Sequence, residues 1–480
     1  MTLRRQTFSA VRWTTLDSAG KALLRVASIA VLARILAPED YGLMAIVSVI
    51  LGLASMFADL GMNSAYVQRK DVTQEQRSSL YWLNVAMSAC LAVLLVAISP
   101  LVATFYGDPR LSPLIMLSAS TIVFIALGQQ VKMSAEKELR FAGVVSLSLI
   151  ASLIGFAVAI LAALAGWGVY ALVVSVIAGA ALSSAFYWFF VADGWRPMWR
   201  LRKDDIQSFL GFGSATVGNN VASYLGRSAD IFLGGRLLGA SDLGLFSVPR
   251  TLVLELGGMV NAIVTRVGFP LIAKVQSDID RVRSIYLKTM NMTAATNAPL
   301  YIGIAFFAPD IVTLVLGEGW EKSGELFRVL ALWGGLRSTG NPVGSLLYGM
   351  GRAGLSLKWN MWLLLIVPPA VWLGSQNGAV GIAWALLLVQ VVLFVPAWFF
   401  LVRPVCKAKL IDYSVAALRP FVLAALAVGP AYVVASQLDD VVARLFVGVL
   451  ISAPLYWLFS WVGNREWVLA MLELLGRKAD

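Results

Sequence analysis

Continuous apolar stretches follow one another along almost the whole chain, separated by short polar segments. Fourteen can be bounded, at about 11–36, 40–66, 79–106, 110–133, 141–165, 167–192, 207–238, 242–270, 284–307, 322–350, 353–375, 378–402, 413–437 and 440–463. The runs do not alternate apolar with polar residues and far exceed strand length, so the period predicts helices rather than a barrel. A hydrocarbon core of about 30 Å is crossed by about 20 residues of helix, and each stretch reaches that length. The pattern predicts an all-α polytopic membrane protein with about 14 transmembrane helices. Two shorter segments read differently: 308–321 as a short interfacial helix, and Asn464–Leu475 as an amphipathic helix on the inner surface.

The first stretch breaks the apolar pattern. Thr14, Asp17, Ser18, Lys21, Arg25 and Ser28 recur at three- and four-residue steps and share one helical face. A charge at the bilayer centre costs about 2.5–3.5 kcal/mol even on the lenient insertion scale, so an aqueous cavity beside this helix is expected. The pattern then recurs. A shift of 202 residues sets ARILAPEDYGL (Ala33 to Leu43) over GRLLGASDLGL (Gly235 to Leu245), with Arg34 on Arg236, Asp40 on Asp242 and Gly42 on Gly244. It also sets Asp17 on Asn219, Lys21 on Ser223, Arg25 on Arg227 and Ser28 on Asp230. Six helices separate the copies, so two six-helix lobes of like orientation are expected, related by a parallel repeat. The expected division is 1–204 for the N-terminal lobe, 205–404 for the C-terminal lobe, and 405–480 for helices 13 and 14 with the amphipathic tail. The basic segment Asp193 to Asp205 is the linker.

Composition agrees with this picture: 59% of the 480 residues are hydrophobic and 14% charged. The net charge of +11 would raise nucleic acid as a partner in a soluble protein, but the location of the cations removes it. With the N-terminus inside, the inner segments hold 24 Lys and Arg against three outside, Arg110, Lys322 and Arg444. The positive-inside rule then sets both termini in the cytoplasm. No cleavage site follows a short apolar core, so no removable signal peptide is read. Cys90 and Cys406 supply neither a disulfide framework nor a metal site. Histidine is absent, so proton coupling near neutral pH would need a perturbed carboxylate or water. A phosphate-binding G-x-x-x-x-G-K-[ST] motif is missing, and the acidic pair Asp278 and Asp280 lies in a loop as a solvated face, so no enzyme chemistry is read.

Subtracting the 27 loop cations from 38 leaves eleven in or near the spans. Arg34, Arg236, Lys288, Arg328 and Arg419 sit near helix ends and can snorkel to headgroups. Lys21, Arg25, Arg227, Arg250 and Arg337 lie deeper and form the candidate cationic cavity. Asp59, Asp230 and Glu255 are the candidate ion-coupling or charge-pairing carboxylates. Guanidinium matches phosphate oxygens bidentately, so such a cavity favours a phosphorylated or acidic cargo. Around Arg337, the run Ser338, Thr339, Asn341 and Pro342 predicts a kink.

Three segments carry a family resemblance: Asp40 to Asp71, Leu225 to Arg250 (LGRSADIFLGGRLLGASDLGLFSVPR), and Gly268 to Asp278 (GFPLIAKVQSD). They resemble the polysaccharide transporter branch of the multidrug/oligosaccharidyl-lipid/polysaccharide exporter superfamily, and within it the Wzx-like O-antigen and exopolysaccharide flippases. The resemblance implies a bacterial inner-membrane transporter that flips a polyprenyl-pyrophosphate-linked glycan by alternating access. It also implies a coupling ion, sodium or proton, in place of a cofactor, and contact with polysaccharide polymerase machinery. Arg25, Arg227, Asp230 and Arg250 match the family pattern. An ion-coupled small-molecule antiporter and a membrane polysaccharide polymerase or ligase are the competing readings.

Overall fold

The computed structural model describes residues 3–59, 66 and 72–474. Among them there is no strand. The helices, in order, are α1 (Leu3–Leu32), α2 (Pro38–Asp59), α3 (Gln74–Tyr106), α4 (Leu111–Lys137), α5 (Phe141–Leu164) and α6 (Val169–Phe190). Next come α7 (Lys203–Leu238), α8 (Ala240–Lys274), α9 (Ile279–Val315), α10 (Ser323–Thr339), α11 (Asn341–Gly349) and α12 (Ala353–Ser375). The last are α13 (Gly378–Val392), α14 (Phe394–Cys406), α15 (Leu410–Ala435), α16 (Val441–Gly463) and α17 (Arg465–Leu474).

The caps are written locally. Thr73 and Gln76 close a reciprocal capping box at the start of α3, and Gly107, with φ 74°, ends it in the left-handed region that glycine enters without strain. Asp278 and Asp440 accept the N–H of Arg281 and Ala443 at the starts of α9 and α16.

Nine helices among the described residues are long and apolar enough to cross a membrane, ten if α13 and α14, bent by 41°, make one span. α1, α7 and α8 have the length, at 30, 36 and 35 residues, and carry charged residues within it. These helices carry six of the eight candidate site residues, Asp59 on α2 and Arg337 on α10 being the others.

Near Pro342, where a kink is expected, the helix is interrupted: α10 ends at Thr339, Gly340 follows, and α11 begins at Asn341. There the hydroxyls of Ser338 and Thr339 turn back to the carbonyls of Gly335 and Leu336. The stretch 308–321, expected as a separate interfacial helix, instead continues α9 as far as Val315. Phe307 (φ −95°, ψ 16°) bends the helix just before Pro309, which removes an amide donor without ending the helix.

The chain divides into two compact units, Met1–Gly244 and Leu245–Asp480. The division falls one helix later than the linker at 193–205, because α7 packs against α2 and α3. In the first unit α3 packs on α4, α5 on α6, and α1 on α5. Its core holds Tyr81, Val131, Ala135, Val144, Tyr187 and Trp195. In the second unit α9 is the central post, packing against α10 and α15, with α15 against α16. The C-terminal α17 also packs on the protein: Trp467 and Val468 are buried in the cluster built by α9, α15 and α16, and the Trp467 indole donates to Thr296 Oγ1 at 3.3 Å. The tail helix thus has the amphipathic character read from the sequence, with its apolar face turned on neighbouring helices.

Candidate functional site

In the first unit, α1 presents Lys21 half-buried and Arg25 exposed, one turn apart. Lys21 Nζ lies 2.9 Å from Asp17 on the preceding turn, so that cation is already paired. On α7, Arg227 is exposed and its Nε donates to the Ser223 carbonyl at 3.2 Å. Asp230, one turn on, is buried, and its carboxylate accepts the Ile231 N–H at 2.9 Å. These positions are the ones the 202-residue shift superimposes. Arg250 and Glu255 lie half-buried on α8 in the second unit, and the Arg337 guanidinium lies 5.2 Å from the Trp333 ring centre on α10. Asp59 closes α2, and its side chain lies outside the described residues.

Around the polar face of α7, helices meet at close range. The Tyr224 hydroxyl donates to the Val49 carbonyl at 3.0 Å, across Gly52, where any Cβ would overlap the phenol. At Gly235 a Cβ would press on Ile46 and Tyr106, whose hydroxyl donates to the Phe232 carbonyl at 3.2 Å. Gly42 and Gly244, repeat counterparts, meet directly. A Cβ on Gly42 would overlap the Ala240 carbonyl, and one on Gly244 the Pro38 carbonyl. Only glycine permits such an approach.

Sequence reasoning missed a second feature, a mainly apolar cavity of about 140 Å³ among α2, α3 and α4 with a few polar groups in its wall. Ser55, Asn84, Ser88 and Gln129 supply its polar lining, and Asn84 and Ser88 are both buried, with Ser88 Oγ donating to Asn84 Oδ1 at 3.4 Å. Two amides and two hydroxyls at membrane depth suit water or another neutral hydrogen-bonding group. The signal was legible as Asn84 and Ser88 one turn apart in an otherwise apolar span. Two cations expected to snorkel instead bond within the protein. Arg328 Nε donates to the Ala305 carbonyl at 3.1 Å, and Arg419 donates to Asn464 Oδ1 at 2.9 Å.

At the turn between α3 and α4, Arg110 bridges Asp108, at 2.7 Å, and Glu39. The guanidinium holds the Asp108 carboxyl below its usual range, and the two carboxylates hold Arg110 above its own. Groups of three or more metal-ligating side chains do not occur among the described residues.

Among the described residues the regular elements are all helices, and nine or ten of them apolar enough to cross a bilayer define a polytopic α-helical membrane protein. A family model described as polysaccharide biosynthesis protein matches residues 31–325, and the chain belongs to that family. Relatives include the lipopolysaccharide biosynthesis protein WzxC of Escherichia coli, 28% identical over 88% of this chain and 86% of that one. The succinoglycan biosynthesis transport protein ExoT of Rhizobium meliloti is 22% identical over 97% of this chain and 94% of its own. Among solved structures, the lipid II flippase MurJ in an inward closed conformation matches with a TM-score of 0.76 at 13% identity, over 94% of this chain and 98% of that one. An inward-facing multidrug resistance transporter of the MATE family, MOP superfamily, matches at 0.57 and 16% identity, over 85% and 94%. The fold expected from the sequence is thus the fold of these transporters.

Proposed function

We propose that this chain is a transporter that flips a polyprenyl-pyrophosphate-linked oligosaccharide, an O-antigen or exopolysaccharide repeat unit, across a bacterial inner membrane. The observation that carries the reading is the recurrence of an arginine-bearing polar face on α1 and α7. Both helices are long enough to cross the bilayer and too polar to do so surrounded by lipid. Water must therefore run along them, and Arg25 and Arg227 give that path a preference for phosphate oxygens. The names of the relatives, lipopolysaccharide and succinoglycan biosynthesis, supply the cargo class, and the lipid II flippase supplies the kind of movement.

In this reading all fourteen predicted spans cross the membrane and both termini are cytoplasmic, as the loop cations require. The pyrophosphate sits near Arg25 and Arg227 of the first unit, where Lys21 is held by Asp17, and Arg250 and Arg337 are the candidate anion contacts of the second unit. Asp59 and Asp230 in the first unit, and Glu255 in the second, serve a sodium or proton gradient or neutralise cations of their own unit. Alternating access exposes the site to each leaflet in turn, and the emerging glycan passes to a polymerase. The test is flipping of a polyprenyl-pyrophosphate oligosaccharide by purified protein in vesicles. Arg25→Ala and Arg227→Ala are expected to abolish flipping while membrane insertion is retained, and normal flipping by both variants would overturn the assignment.

A further inference from the structure

We propose that the segment joining α6 to α7 is a built binding site for an anionic phospholipid headgroup. Residues 193–202 run as a strap across the first turns of α3 and are tied to it along their length. The Met198 N–H donates to Ser78 Oγ at 3.1 Å, the Trp82 indole donates to the Met198 carbonyl at 2.9 Å, and Ser79 Oγ donates to the Arg200 carbonyl at 3.2 Å. Arg200 pairs with Glu75 at 3.1 Å and Asp205 at 3.0 Å. Behind the strap, Trp195 is buried, stacked on Trp188 and covered by the Arg77 guanidinium at 3.9 Å. A segment held this firmly has an orientation of its own, and what it turns outward is informative.

Trp199 is 89% exposed although its ring stacks on Trp82 at 4.2 Å, and Met198 and Leu201 are exposed beside it. Arg196 and Arg202 are also exposed, neither in a salt bridge among the described residues, although Arg202 lies near enough to Asp205 to help Arg200 hold its carboxyl below the usual range. Phe189 and Phe190, in the last turn of α6, continue the apolar patch. An indole flanked by such guanidinium groups is the chemistry of the headgroup layer: the ring takes the acyl boundary and the cations take phosphate.

Depth agrees. The 33 residues of α3 span about 50 Å, so about 10 Å overhangs a 30 Å hydrocarbon core at each end when the helix is centred. Trp82 lies eight residues, about 12 Å, from the first residue of α3, which puts the Trp82–Trp199 stack at the boundary. The loop cations assign this edge to the cytoplasmic leaflet, the leaflet that carries anionic lipid.

The test is native mass spectrometry of the full chain in detergent, titrated with phosphatidylglycerol and, separately, phosphatidylcholine. The wild type is expected to hold one phosphatidylglycerol in preference to phosphatidylcholine. Arg196→Gln with Arg202→Gln should weaken that binding roughly 30-fold, and Trp199→Ala should weaken phosphatidylglycerol and phosphatidylcholine alike. Arg196→Lys with Arg202→Lys should restore most of it. Removing the same charge elsewhere, with Arg352→Gln and Lys358→Gln, should leave it unchanged. Equal weakening by both charge-removing pairs would reduce the effect to net charge and overturn the site. A fluorophore attached to the thiol introduced by Trp199→Cys, in a Cys90→Ser, Cys406→Ser background, should be quenched by nitroxide-bearing lipid in vesicles. An unquenched, water-exposed label would assign the patch to a soluble partner and overturn the proposal as well.

Discussion

The meeting of Gly42 with Gly244 makes a prediction that follows from the repeat and the geometry together. Replacing Gly42 with alanine adds a Cβ that overlaps the Ala240 carbonyl and comes within 3.0 Å of the Gly244 amide nitrogen. Both obstacles are backbone, so no rotamer change relieves them and the first turns of α2 and α8 must move apart. Overpacking of this kind costs about 1–3 kcal/mol. Gly244→Ala meets the Pro38 carbonyl on the other side of the same crossing and should cost a similar amount. Once one substitution has parted the helices, the second Cβ enters space already opened, so the double variant should cost little more than either single. The expected coupling is about 1–2 kcal/mol below additivity. For a unit of this size, about 2 kcal/mol lowers the apparent melting temperature by about 4–8 °C, measured in detergent by intrinsic fluorescence. A double variant whose loss equals the sum of the singles, within about 0.5 kcal/mol, would show that the two glycines do not share one contact.

Other outcomes follow from the second unit and the α3–α4 turn. Trp467→Ala removes an indole buried among α9, α15 and α16 and should destabilise the purified protein by about 3–5 kcal/mol, where a helix resting only on lipid would lose far less. Asn464 accepts from Arg419 and exchanges amide hydrogen bonds with Asn291 at 2.8 and 3.2 Å, so Asn464→Ala takes these bonds from the buried Asn291 and the half-buried Arg419. The expected cost is about 2–4 kcal/mol, read as lowered yield and melting temperature. Asp108 is held below its usual carboxylate range, so its pairing with Arg110 contributes above the unfolded value of 3.8 and is lost as pH falls through the folded value. Acid should therefore lower the melting temperature of the wild type more than that of Asp108→Asn, and parallel pH curves would contradict this.

Much of the fold was legible because lipid imposes one rule, that backbone polar groups be satisfied within a helix, and long apolar runs announce it. The polar face of α1 and its copy on α7 were legible through three- and four-residue spacing. What escaped was contact between elements distant in sequence. Nothing local distinguishes Gly52, which lies beneath Tyr224, from glycines open to space such as Gly218 or Gly226. The sequence repeat places a linker at 193–205, yet the compact unit extends to Gly244, since α7 packs on α2 and α3. Arg419 read as a snorkelling cation because its acceptor, Asn464, is 45 residues away.

The repeat also separates charges that matter for cargo from charges that matter for folding. On α1 the face carries Asp17, Lys21 and Arg25; on α7 the counterparts are Asn219, Ser223 and Arg227. The Asp17–Lys21 ion pair of the first copy is thus replaced as a unit by two neutral residues in the second, while the arginine stays. An i, i+4 pair that is partly exposed stabilises a helix by only about 0.3–0.5 kcal/mol, so its loss is cheap when both members go together. Asp17→Asn combined with Lys21→Ser, which writes the α7 solution onto α1, should therefore keep at least half of wild-type flipping in vesicles. Lys21→Ser alone leaves the Asp17 carboxylate without its lysine, a negative charge beside an anion path, and should impair flipping more than the double change. Should the double variant be as inactive as Arg25→Ala, Lys21 would belong to the anion path in its own right, and the division between paired and cargo-facing cations would fall.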